Sequence, residues 1–101
     1  MKLPHEIGSM TELRAEIDAL DARLIELMAA RTRLIDRAAQ LKPHENMPAR
    51  IPARVEDVVA KVRARADAAG MDADLAERLW REMIEHFIAQ EERVLGKGDG
   101  A

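Results

Sequence analysis

The sequence predicts an all-α protein of three helices, the first much longer than the other two. Three observations carry this expectation. Apolar residues recur at spacings of three and four through residues 13–41 and again in the second half of the chain. No β-branched run and no hairpin signal between alternating segments competes with that period. Breaker residues are confined to the first nine positions, the link from Pro43 to Pro52, the turn at Gly70 and the terminal GKGDGA.

The first helix is expected to start near Ser9 or Thr11, either of which can cap it, with Glu12 in its first turn. It should continue to Lys42, because Pro43 has no amide to donate and restricts the residue before it. Leu13, Ile17, Leu20, Leu24, Leu27, position 31, Leu34, Ala38 and Leu41 alternate by four and three, a heptad seam. The seam position at 31 is an arginine.

The second helix fits Pro52 in its first turn through Ala69, with Val55, Val58, Val59, Val62 and Ala66 to one side and Gly70 as a left-handed stop. Asp72 should cap the third helix, whose apolar stripe reads Trp80, Ile84, Phe87, position 91 and Val94. Position 91 is a glutamate, so two of the three helices carry an ionisable residue where the pattern asks for an apolar one.

A helix of about 33 residues is ~50 Å long, whereas a compact chain of this size has a radius of gyration of only ~13 Å. Two shorter helices cannot cover it. A homodimer built along the first helix is the economical expectation.

At 101 residues, 48% hydrophobic and 35% charged, the chain is expected to form one helical domain over residues 1–101, with a flexible arm at 1–9 and a flexible tail at 96–101. No segment approaches the roughly 20 apolar residues of a membrane span, and no signal peptide is legible, so a cytoplasmic location is expected. The absence of cysteine rules out a disulfide framework, a thiolate metal site and a cysteine nucleophile. With a formal net charge of −3 and only Trp80 and Phe87 as aromatics, neither a nucleic-acid nor a membrane partner is expected. His5, His44 and His86 lack metal-ligand spacing, and no glycine-rich phosphate loop is present, so neither metal nor cofactor is expected. Ser9, Thr11 and Thr32 have no His–Asp arrangement to activate them.

The cations remain. Arg31 and Lys42 are 11 residues apart, close to three helical turns, so they share a face at ~16 Å axial separation. Arg14 lies 17 residues before Arg31, about 25 Å along the same helix. It can reach a small ligand at Arg31 only from a second, antiparallel chain. Blander roles stand beside this one. Arg31 can snorkel to water or set dimer register, Arg14, Lys42, Arg50 and Arg54 can be solvated surface charges, and Glu91 can simply partner an arginine. Asp18, Asp21 and Asp36 lie off the seam as solvated residues or helix ion pairs. The convergence of several cations and one acid on a single small-anion site favours the functional role. Such a pocket, without nucleophile or metal, suits a reaction that needs only binding and electrostatic stabilisation.

Over roughly residues 10–95 the chain resembles the small all-helical chorismate mutase family, including its isochorismate–pyruvate lyase branch. The resemblance is carried by L-R-A-E-I-D-A-L-D with Arg14, A-A-R-T-R with Arg31, Q-L-K with Lys42, R-I-P-A-R-V with Arg54 and I-A-Q-E with Glu91. It implies an intertwined homodimer. Arg14 from the partner chain and Arg31 would bind the substrate carboxylates, Lys42 would hydrogen-bond the ether oxygen and also touch a carboxylate, Glu91 would serve the same ether oxygen, and Arg54 would support the substrate from the second helix. Ile51 and Val55 stand where an aspartate or glutamate is common, and Phe87 stands where a small polar residue is usual. These three changes lean toward the lyase, and Glu91 leans back toward the mutase. The implied reaction is the [3,3] rearrangement of chorismate to prephenate. The alternatives are cleavage of isochorismate to salicylate and pyruvate and, from another class, a non-enzymatic dimerisation module.

Overall fold

The computed structural model describes residues 2–95. The chain divides into two units, Met1–Asp36 and Arg37–Ala101, with the boundary inside the first helix. The described residues contain three α-helices, two short 3-10 turns and no strand, as the periodicity predicts. The expected tail at 96–101 lies outside the described residues.

In the first unit, residues 2–9 carry a 3-10 turn over Pro4–Glu6 and lead into α1, Met10–Leu41. Ser9 caps α1: its Oγ accepts the Glu12 amide at 3.1 Å and its carbonyl accepts the Leu13 amide at 3.0 Å. The sequence Ser-Met-Thr-Glu has the form of a capping box, but the Glu12 carboxylate accepts a hydrogen bond from the Lys2 ammonium instead. No residue of α1 is buried. Of the seam, Leu24 is 50%, Leu27 64% and Leu34 72% exposed, so the single chain leaves a bare apolar face.

The second unit begins with the last turn of α1. Lys42, expected as the final residue of that helix, instead opens a 3-10 turn, Lys42–Glu45. Pro43 supplies the reason, since it cannot donate to the next α-helical hydrogen bond and the chain tightens around it. Asn46 closes the turn in the left-handed region at φ 57°, where its amide reaches the Pro43 carbonyl, and the Met47 amide meets that of Lys42 at 2.9 Å. A loop then leads to α2, Pro52–Ala69, with Pro52 in its first turn.

Gly70, at φ 79°, ends α2 in a Schellman motif: its amide bonds the Asp67 carbonyl and the Met71 amide bonds that of Ala66. Asp72 Oδ1 then accepts the Asp74 amide at 2.9 Å and caps α3, Ala73–Leu95. Helices α2 and α3 pack as an antiparallel hairpin. Val62, Ala66 and Ala76 form its core, flanked by Val58, Ala73 and Trp80.

Ion pairs along the hairpin record its register. Arg63 meets Asp74 and Glu77, Arg81 meets Glu56, and Arg50 meets Glu85, so partners move down α3 as they move back toward the start of α2. Hydrogen bonds from Arg81 and then Arg63 hold the Glu77 carboxyl below its usual range. The Arg50 fork does the same to Glu85.

Two departures from the expected stripe follow from this register. Ala76 and Ile88 are buried although the stripe omits them. Val94, placed on the stripe, is 79% exposed. Arg50, just before α2, already pairs with Glu85, so the last turns of α3 run past the start of α2. Near Glu91 the Lys42 ammonium ties α3 to the Ala49 carbonyl, and Val94 lies beyond that tie.

Candidate active site

The structure brings Lys42 and Glu91 together across 49 positions of sequence. Lys42 projects from the 3-10 turn and Glu91 from the second half of α3, on its buried side. The Lys42 Nζ donates to Glu91 Oε2 at 2.7 Å and to the Ala49 carbonyl at 2.7 Å. Their side chains are only 18% and 8% exposed. An ammonium has three N–H bonds. Two are used here, and the third remains for a ligand.

A buried ion pair gains little net stability, because desolvation of both ions consumes most of the Coulomb attraction. Its value lies in what it presents: a cation and a carboxyl group held side by side in a place that excludes most water. Such a pair can meet an oxygen on which negative charge develops.

The other expected site residues are placed as follows. Ile51 is half-buried and precedes α2, and its carbonyl accepts the amides of Arg54 at 3.0 Å and Val55 at 3.1 Å. Val55 is half-buried, whereas Arg54 is exposed and donates to Asp57 Oδ2 at 2.6 Å. Asp57 is held below the usual carboxylate range, first by its hydrogen bond from Lys61 and then by Arg54. Phe87 is half-buried one helical turn before Glu91, on the same side of α3, with its ring edge-on to His86 at 4.9 Å. Arg14 is exposed and Arg31 half-buried, both on the α1 portion of the first unit. Their separation along one helix, 17 residues or about 25 Å, keeps them from a common small ligand within one chain.

Two participants escaped sequence analysis. The Ala49 carbonyl has no side-chain signature, because any residue at that position would supply it. Arg50 reads as an ordinary surface charge, and only the hairpin register links it with Glu85. Elsewhere, an open cleft of about 450 Å³ at the turn end of the hairpin is lined by Asp72, Asp74, Glu77, Arg78 and Arg81. Its size does not make it the better candidate: Asp74 and Glu77 are already neutralised by Arg63 and Arg81.

The family model of chorismate mutase type II matches residues 13–92, a span that contains every expected site residue. The chain belongs to the chorismate mutase type II family. Its relatives within that family differ in chemistry and in length. The T-protein of Haemophilus influenzae is 34% identical over 83 residues, covering 82% of this chain but 22% of the T-protein. The chain thus spans about a fifth of that relative's length. A chorismate mutase of Methanocaldococcus jannaschii is 25% identical over 89 residues, covering 88% of this chain and 90% of that protein. The isochorismate pyruvate lyase of Pseudomonas aeruginosa is 27% identical over 102 residues, covering 100% and 99% of the two chains. The all-helical architecture implied by the chorismate mutase resemblance is the one observed.

Proposed function

We propose that this chain is a chorismate mutase, rearranging chorismate to prephenate in a cation-lined pocket shared between two copies. The observation that carries the proposal is the Lys42–Glu91 contact at 2.7 Å, within a chain of the chorismate mutase type II family. Arg31 of one copy and Arg14 of the other clamp the two substrate carboxylates, with Arg54 in support once it leaves Asp57. Ile51, Val55 and Phe87 supply apolar walls. The clamp folds the enolpyruvyl tail over the ring, and this positioning provides much of the acceleration.

The ether carbon–oxygen bond then breaks as the new carbon–carbon bond forms, with no net transfer of protons or electrons and no cofactor. Negative charge grows on the ether oxygen. The free N–H of Lys42 and the protonated acid of Glu91 donate to it. An ionised Glu91 accepts only, so it must carry a proton to assist.

The homodimer is part of the proposal. Support comes from the exposed seam of α1, where each buried leucine contributes roughly 1.5–3 kcal/mol on association. A cytoplasmic setting without nucleic-acid or membrane partners completes it. This agrees with the cysteine-free composition and the net charge of −3, and no helix among the described residues is long and apolar enough to cross a membrane.

A second reading has its own support. The lyase relative aligns over its whole length, and Ile51 and Val55 offer no acid to a ring hydroxyl. In that case the same clamp holds isochorismate, a ring hydrogen passes to the enolpyruvyl methylene carbon as the ether bond breaks, and pyruvate and salicylate leave. A non-enzymatic dimerisation module explains the seam but not a buried Lys–Glu pair. Ultraviolet assays with chorismate and isochorismate side by side test all three. Faster loss of chorismate is expected, faster release of salicylate would replace the mutase by the lyase, and no turnover of either would leave the module.

A further inference from the structure

We propose that Arg50 and Glu85 are positioning residues for Lys42: their forked ion pair fastens the Ala49–Arg50 segment to α3, so that the Ala49 carbonyl holds the Lys42 ammonium against Glu91. This rests on the function proposed above for Lys42 and Glu91.

The loop between Lys42 and α2 has little else to orient it. Among the described residues, no backbone–backbone hydrogen bond involves residues 48–50, and Pro48 has no amide to offer. Ala49 is 2% exposed. Burial of its methyl group fixes the Cα, but it leaves the following peptide free to rotate and turn the carbonyl away. The next side chain removes that freedom. Arg50 NH1 donates to Glu85 Oε2 at 2.8 Å, and NH2 donates to Glu85 Oε1 at 2.6 Å. Two parallel hydrogen bonds from a planar fork define an orientation as well as a distance.

Glu85 lies six residues before Glu91 on α3, ~9 Å along a rigid rod. The Ala49–Arg50 pair therefore reaches α3 at two levels: directly at Glu85, and through Lys42 at Glu91. Its carbonyl supplies one of the two contacts that hold the Lys42 Nζ, and those two contacts set where the third N–H points. Both members of the fork are largely exposed, with side chains 44% and 55% accessible. An exposed pair adds little to stability. The consequence of this one is placement.

Loss of the fork should thus affect turnover more than substrate affinity, because the carboxylate clamp does not include it. Glu85→Gln, Arg50→Gln and the exchanged pair Arg50→Glu/Glu85→Arg test this in the full chain. One readout is the rate of Lys42 acylation by an amine-reactive ester relative to Lys61, followed by peptide mass spectrometry. The other is kcat and KM for chorismate. Each single variant should accelerate Lys42 acylation by about threefold or more and lower kcat by about tenfold at nearly constant KM. The exchanged pair should move both back toward wild type.

Unchanged Lys42 acylation in the single variants overturns the proposal. So does an unchanged kcat in an active enzyme, or an exchanged pair that restores nothing. If the wild-type protein turns over no chorismate, the proposed function fails while the acylation series still decides whether the fork places Lys42.

Discussion

Glu91→Gln separates the two roles of the buried carboxyl, as partner of Lys42 and as donor to substrate. In the free chain the Lys42 Nζ lies 2.7 Å from Glu91 Oε2. At an effective dielectric of about 20, two unit charges at that distance attract by roughly 6 kcal/mol. Desolvation costs several kcal/mol per ion and offsets most of it. The glutamine carbonyl still accepts from Lys42, so the substitution exchanges a charge-assisted hydrogen bond for a weaker one, a loss of about 1–2 kcal/mol. For a chain of this size that lowers the melting temperature by roughly 5–15 °C.

Activity should move the other way. A carboxylate oxygen only accepts, whereas the glutamine amide donates to the ether oxygen without needing a proton. Glu91→Gln should therefore give a higher kcat at neutrality. Glu91→Ala, which removes the donor, should lose about 10²–10³ in kcat, the range for one donor to a developing oxyanion. Stopped assays at neutral pH, with thermal melts of the same samples, measure both effects. A Glu91→Gln kcat at or below the wild-type value, or an alanine variant with near wild-type kcat, refutes this role.

Arg14→Ala and Arg31→Ala should each be inactive while staying dimeric. After subunit exchange the mixture should recover about a quarter of wild-type activity, since half of the dimers are mixed and each has one intact site. No recovery after verified exchange, or a light-scattering mass near 11.3 kDa with helical circular dichroism retained, would refute the shared site. Val55→Glu should improve kcat/KM for chorismate by supplying an acceptor to the ring hydroxyl, and an unchanged or lower value would show that this contact is not limiting. Asp57, Glu77 and Glu85 are all held below the usual carboxylate range by hydrogen bonds from lysine or arginine. Their stabilisation is present above the unfolded values and is lost as pH falls through the lower folded ones. Melting temperatures should therefore drop in acid, less steeply in Glu77→Gln, and equal slopes in the two proteins would count against the pairing.

Reading along the chain is enough to place the helix ends, to within a residue at Pro43, and to find the residues that break the apolar pattern. Ser9, Pro43, Pro52, Gly70 and Asp72 act through hydrogen bonds or backbone restrictions that close within a turn, so their effects are written locally. Arg31 and Glu91 stand out because helical periodicity assigns a residue type to their positions and they violate it. Which residues meet depends on how the helices and the loop pack. Periodicity shows which side of a helix is apolar, but it contains no register between one helix and the next. Hence Val94 reads as buried and is exposed, and Arg50 reads as solvated and grips Glu85. Lys42 finds its partner 49 residues away, through a loop whose working group is a backbone carbonyl. A carbonyl is common to every residue, so only the folded path of the loop could single out the one that holds the ammonium.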